Sequence, residues 1–297
     1  MKVGLVLPMF SGDTERVLAF ARTAEELGFD GLFAFDHLFP PGAPSDRPSL
    51  EAFATLSAVA AATRAPAVGT LVTRASLRSA GLIAKLAATV DDVSGGRMIL
   101  GIGTGDPLDR PEHEVFGLPY LDKTERREHL VETVRAVRAL FDGERWEGGR
   151  YVPPMSGPLL PKPVTAGGPP VWVGGFADAV VRLAGLEADA WNGWGMSLEE
   201  FDRKARLLRE AADGAGRSVG PTWAGIVVVG RDDEEVARTL RERERKGLET
   251  QVWSGTARAL VEWLRSLEGV GATWAVLVAG GRQELIANDV LPHVGRG

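Results

Sequence analysis

Residues 65–106 read APAVGTLVTRASLRSAGLIAKLAATVDDVSGGRMILGIGTGD, and this stretch decides the fold. An apolar run of strand length over 67–73 leads into a helix-period segment. A second apolar run over 97–103 then ends in Thr104, Gly105 and the carboxylate of Asp106. Strand, helix and strand in that order predict a parallel βαβ unit. Its closing turn offers backbone N–H groups able to cradle a phosphate, and a side chain able to carry a proton.

Outward from this unit the same alternation continues along the chain. Strands are expected over Val3–Pro8, Gly31–Asp36, Ala67–Thr73, Arg97–Gly103, Val171–Gly174, Ala188–Trp191, Trp223–Gly230 and Thr273–Ala279. The intervening segments carry a 3.6-residue period. On the first of them Val17, Leu18, Ala21, Ala24 and Leu27 form the buried stripe, and Gly28 ends the helix. Eight such units in 297 residues predict an α/β protein with one domain, residues 1–297, folded as a (β/α)8 TIM barrel. Three connections exceed what a plain barrel needs: 104–122 after strand four, 143–169 after helix four, and about 244–268 before strand eight, the last carrying an extra helix over 256–267. Long loops of this kind serve as lids or binding segments, or as flexible connections. Of the first two, only the one directly following a strand is assured of the catalytic end of the barrel.

Composition narrows the chemistry. Lys and Arg total 34 against 40 Asp and Glu, a net charge of −6 without a basic stripe, so neither nucleic acid nor an anionic membrane is an expected partner. The absence of cysteine removes disulfides, thiolate metal sites and Cys nucleophiles, and any redox work needs a borrowed cofactor. The chain passes from Met1 and Lys2 into VGLVLP, too short for a signal sequence, and a cytoplasmic protein acting on a small molecule is expected.

Barrel enzymes work at the C-terminal ends of their strands. Here those ends offer Met9 and Phe10; Asp36 and His37; Thr73 and Arg74; Thr104, Gly105 and Asp106; Gly174 and Gly175; Asn192; Arg231; and Gly280 to Arg282. The lack of a strand-end lysine argues against a Schiff-base aldolase, and the lack of a His-x-His pair or of a His and carboxylate cluster against a metallohydrolase, so no metal is expected. His37 is suited to proton transfer near neutral pH, or else simply closes its strand. Asp106, followed by Pro107, is a turn former or an acid. His113, His129 and His293 are expected in surface or loop positions. Gly101, Gly103 and Gly105, with the Gly174–Gly175 pair, suggest phosphate cradles or tight turns, while GIGTGD lacks the third glycine and the ribose-binding acid of a dinucleotide fingerprint. Trp172, Trp191, Trp194, Trp223 and Trp274 lie in or beside strands, where one or two could wall a pocket. Arg74, Arg231 and Arg282 could bind an acidic group or be solvated.

Together, VGLVLP (3–8), AEELGFDGLFAFDHLF (24–39), VGTLVTR (68–74), LAATVDDVSGGRMILGIGTGD (86–106), PPVWVGG (169–175) and ADAWNGW (188–194) resemble the bacterial luciferase-like monooxygenase superfamily, in particular its branch using the deazaflavin coenzyme F420. The resemblance implies a cofactor at the C-terminal mouth of the barrel and an oxidoreductase moving a hydride between the deazaflavin C5 and a small organic substrate. Position by position, Asp36 and His37 match the cofactor-contacting Asp-His pair, with His37 in proton transfer. Gly103, Thr104 and Gly105 match the segment beside the cofactor, and Asp106 stands where sugar-phosphate dehydrogenases have a glutamate acid. Gly174, Gly175 and Phe176 match the phosphate-binding turn, and Thr70–Leu71 matches a non-prolyl cis peptide facing the ring. Pro40 and Pro41 replace an aromatic of the sugar-phosphate members, and their cationic substrate-phosphate cluster has no match, so glucose 6-phosphate is not the expected substrate. The family also implies a homodimer. The alternatives are an FMN-dependent monooxygenase that activates O2 and a catalytically silent cofactor-binding barrel.

Overall fold

The computed structural model describes residues 1–41, 46–248 and 251–295; residues 249 and 250, within the third long connection, lie outside the described residues. Ten strands are present among the described residues: β1 (Lys2–Val6), β2 (Gly31–Ala34), β3 (Ala67–Thr70), β4 (Thr73–Arg74), β5 (Met98–Gly103), β6 (Val171–Gly174), β7 (Ala190–Trp194), β8 (Gly220–Gly230), β9 (Trp253–Thr256) and β10 (Trp274–Val278). Eight of them pair in parallel in the order β1, β2, β3, β5, β6, β7, β8, β10, and β10 returns to β1 to close the barrel. The expected TIM barrel is therefore the observed one.

Helices clothe the outside: α1 (Thr14–Glu26), α2 (Ala52–Ala62), α3 (Ala80–Ser94), α4 (Arg110–Val115), α5 (Lys123–Asp142), α6 (Asp178–Glu187), α7 (Leu198–Gly214), α8 (Asp233–Arg245), α9 (Ala257–Gly269) and α10 (Gln283–Asp289). Their ends are written locally. Ser79 accepts the Leu82 N–H to start α3, which stops at Gly95 with φ of 67°. Asp122 and Glu125 form a reciprocal capping box on α5. No helix among the described residues is long and apolar enough to cross a membrane.

Two apolar layers result. The larger lies between strands and helices, and the smaller fills the barrel around Phe33, Trp172 and Trp274. The Phe33 ring sits 5.4 Å from Trp172 and 5.6 Å from Trp274 between centroids, a plug of three aromatic rings. Gly4, Gly31 and Gly69 admit it, since a Cβ at each would come within 2.9 Å of the Phe33 ring. Trp191 and Trp223 face the outer layer instead, and Trp194 stands half-buried at the mouth.

The expected third strand is split. From Gly69 to Thr73 the chain takes four residue steps while its partner takes three, Ile99 to Ile102, so one extra residue bulges out of the ladder. The non-prolyl cis bond lies within this bulge at Leu71–Val72, one residue beyond the expected Thr70–Leu71. Thr70 is still held in the sheet: it pairs with Ala34, its hydroxyl bonds Gly101 from both sides, and the Leu71 N–H still donates to the Ala34 carbonyl. The chain leaves the ladder only after that hydrogen bond. The sixth expected strand also shifts, to Ala190–Trp194, because the Asp189 N–H and carboxylate are engaged by Val171 before the ladder begins. The connection before β10 contains an unexpected strand, β9, paired with the half of β8 that projects beyond the barrel.

Candidate active site

The bulge shapes the mouth. Val72 settles over inward-facing glycines: a Cβ on Gly101 would lie 2.8 Å from its methyl, on Gly103 2.6 Å and on Gly174 3.0 Å. These glycines make a socket for Val72 through their lack of side chains. Gly105 has a different task. Its φ of 69° suits glycine, and a Cβ there would strike Asp109 Oδ2 at 2.7 Å and Arg74 Cδ at 2.9 Å.

At the end of β2, Asp36 is buried and His37 half-buried. Asp36 accepts from Thr73 Oγ1 at 2.5 Å and from Arg78 at 2.6 and 3.0 Å. Burial alone would lower the Arg78 pKa, but Asp36 and Glu51 outweigh it and hold the guanidinium above its usual value. Asp36 is thus a buried ion-pair partner that anchors the strand end. The next residue faces a different network. His37 Nδ1 lies 2.8 Å from Glu112 Oε1 and 3.7 Å from Asp109 Oδ1. Glu112 Oε2 accepts the Leu38 N–H at 2.5 Å and Arg74 Nη2 at 2.6 Å, and Arg74 Nη1 faces Asp109 at 3.3 Å.

Burial would raise the Glu112 pKa, but hydrogen bonds from His37 and the Leu38 N–H, with the Arg74 charge, outweigh it and hold the carboxyl below its usual range. Burial dominates at Asp109 and raises its pKa, with Arg74 offsetting only part. Contrary to the expectation that no His and carboxylate cluster is present, His37, Asp109 and Glu112 bring three potential ligand atoms within 4.8 Å of one another, because the connection after β5 brings both acids to the end of β2. Arg74 contacts both carboxylates, so the cluster is an ion-pair network with its positive charge already supplied by protein. Neither Asp109 nor Glu112 is one of the expected strand-end residues; both come from the 104–122 connection, whose place directly after a strand is the one signal of them in the sequence. Arg74 proves buried within this network and is not solvated.

Asp106 is exposed, and its carboxylate accepts the Leu108 N–H as the cap of the 3-10 turn at Pro107–Asp109. Thr104 is half-buried next to it. Of the histidines expected in surface or loop positions, His293 is exposed, His129 is half-buried on α5, and His113 is buried on α4 with Nδ1 on the Pro119 carbonyl at 2.8 Å. That bond ties helix α4 to the loop that follows it.

Around His37 stand Phe10, Phe35 and Trp194, all half-buried: Phe10 stacks on Phe35 at 5.9 Å, and Trp194 meets Phe35 edge-on at 5.5 Å. Across the mouth, Gly174, Gly175 and the exposed Phe176 lead into α6, whose first turn has no side-chain cap. Beneath this turn the buried Lys204 donates to the Phe176 carbonyl at 2.5 Å and pairs with Asp178, neutralising the carboxylate nearest the turn. Arg231 and Arg282, at the ends of β8 and β10, both pair with Glu235.

The family model described as luciferase-like monooxygenase matches residues 1–283. The chain belongs to the luciferase-like monooxygenase family. Among the relatives of this family member, an F420-dependent hydroxymycolic acid dehydrogenase of Mycobacterium tuberculosis is 31% identical over 295 residues, covering 92% of this chain and 75% of the relative. An F420-dependent glucose-6-phosphate dehydrogenase of Nakamurella multipartita is 31% identical over 252 residues, covering 80% and 67%. Among solved structures, an F420-dependent secondary alcohol dehydrogenase in complex with an F420-acetone adduct superposes with a TM-score of 0.84 over 99% of this chain and all of the other, at 19% identity. The coenzyme F420 dependent tetrahydromethanopterin reductase of Methanopyrus kandleri gives 0.79 over 99% of both chains, also at 19% identity. These two likenesses concern the fold.

Proposed function

We propose that this protein is an F420-dependent oxidoreductase that passes a hydride between the deazaflavin and a small substrate bearing a hydroxyl or carbonyl group. The observation that carries the reading is His37, held beside buried Asp36 at the barrel mouth with Nδ1 engaged by Glu112 and Nε2 without a partner among the described residues. The named relatives, F420-dependent dehydrogenases, support the choice of cofactor.

The mouth fits such a group on its own terms. Val72 offers an apolar floor, Phe10, Phe35 and Trp194 offer half-buried aromatic walls, and the uncapped first turn of α6 offers backbone N–H groups to an anion. Leu71, Val72 and the segment Gly103 to Gly105 would lie along the ring, with Thr70 supporting them from the sheet. Gly174, Gly175 and Phe176 would hold a phosphate, with Lys204 behind. When bound, the deazaflavin supplies a two-electron acceptor and donor of hydride. The protein supplies the proton path: His37 takes the hydroxyl proton in oxidation and returns it in reduction. Asp106, at the rim, is a second proton-handling candidate that faces solvent.

Anaerobic turnover tests this reading. Purified protein mixed with oxidised F420 and a panel of secondary alcohols is expected to bleach the cofactor, and His37→Ala to abolish the bleaching. O2 consumption with reduced FMN and none with F420 would establish the monooxygenase alternative instead, and F420 binding without turnover, unaltered by His37→Ala, the silent barrel.

A further inference from the structure

Glu112 is wholly buried, and its two oxygens have different company. Oε2 receives an amide N–H from Leu38 and a guanidinium N–H from Arg74, both of which can only donate. Oε1 faces His37 Nδ1 alone at 2.8 Å. An ionised carboxylate can only accept, so the proton on the neutral imidazole belongs on Nδ1, and Nε2 is left with a lone pair.

We propose that Glu112 is a positioning residue that locks His37 in the Nδ1–H tautomer and so reserves Nε2 as the acceptor of the substrate's hydroxyl proton. The proposal rests on the deazaflavin-dependent reading above. In the oxidative direction the substrate C–H bond breaks and its electron pair leaves with the hydride to oxidised deazaflavin. The O–H proton goes to Nε2 and the C=O double bond forms. The imidazolium so created faces the Glu112 carboxylate, with Asp109 at 3.7 Å as the second negative group and Arg74 tying both carboxylates down. In reduction the Nε2 proton returns to the oxygen.

The substitution Glu112→Gln discriminates sharply because its shape is conserved while its donors are not. The two obligate donors at Oε2 require the amide oxygen there. The amide NH2 then points at Nδ1, which must accept, and the ring proton moves to Nε2. Imidazole nitrogen chemical shifts of the cofactor-free protein near neutral pH are expected to show Nδ1–H in wild type and Nε2–H in Glu112→Gln. The variant should bind F420 like wild type, with KM within a few-fold, while kcat for alcohol oxidation falls on the order of 10²- to 10⁴-fold. Glu112→Asp, which keeps the charge, should recover part of kcat and the wild-type tautomer.

An Nε2–H ring in wild type overturns the proposal whether or not the variant folds. So does an identical tautomer in both proteins, or an unchanged kcat. Failure of F420 to bind wild type would count against the cofactor reading alone, because the ring spectra are taken without it.

Discussion

His37 was legible from its place, the first polar pair after an apolar strand in a barrel pattern. Glu112 was not, since RPEHE reads like any solvated stretch. Its meaning comes from a contact 75 residues away in sequence, which only the folded chain creates. Gly105 illustrates the same limit. Its neighbours Gly101 and Gly103 alternate with it in sequence, yet they seat Val72 while Gly105 lets Arg74 pass beneath a left-handed turn. Gly105→Ala therefore meets both a backbone penalty of about 1–2 kcal/mol and a clash with Asp109 and Arg74. We expect urea denaturation to show a loss of at least about that size, together with weakened turnover as the Arg74–Glu112 contact is displaced. Wild-type stability in the variant would contradict the packing described for this turn.

At the scale of elements, the connections after strands matter more than the strands themselves. The eight barrel strands could be read from apolar runs because burial on both faces leaves little room for polar residues. Strand β9 could not, as it depends on pairing between distant segments, and the bulge after β3 is placed only by the family resemblance, one residue early. Among the connections, the loops after β8 and β10 are clipped together by Glu235. It accepts the Arg231 N–H at 2.8 Å and meets the Arg282 guanidinium at 2.9 Å. Hydrogen bonds from the Arg231 backbone and side chain, outweighing desolvation and aided by the Arg282 charge, bring its pKa down from 4.5 to about 2. A carboxylate depressed on folding stabilises above its ordinary value and loses that contribution as pH falls through the folded value. The difference in urea midpoint between wild type and Glu235→Gln should accordingly be full at neutral pH and narrow between 4.5 and about 2. A difference that stays constant over that range would refute the clip.

Over the whole molecule, the barrel stands on a sealed floor and an open top. The Phe33, Trp172 and Trp274 plug fills the interior, so Phe33→Ala should cost about 3–5 kcal/mol through cavity formation, read as a shift in the chemical denaturation midpoint. Above the plug, the Val72 floor, the half-buried aromatics and His37 define one mouth, with the uncapped start of α6 at its edge. Fold and mouth location were readable from the strand order, because a barrel confines chemistry to one end. Which charged groups meet His37 was not, because Asp109 and Glu112 come from the connection after β5 and reach it only in the folded chain. The central claim is that this mouth is built for a deazaflavin. Titrating the purified apoprotein with F420 and, separately, with FMN, followed by quenching of its tryptophan fluorescence, tests that claim most directly. Saturable, micromolar or tighter binding of F420 with negligible binding of FMN is the predicted result, and tight FMN binding without F420 binding would contradict it.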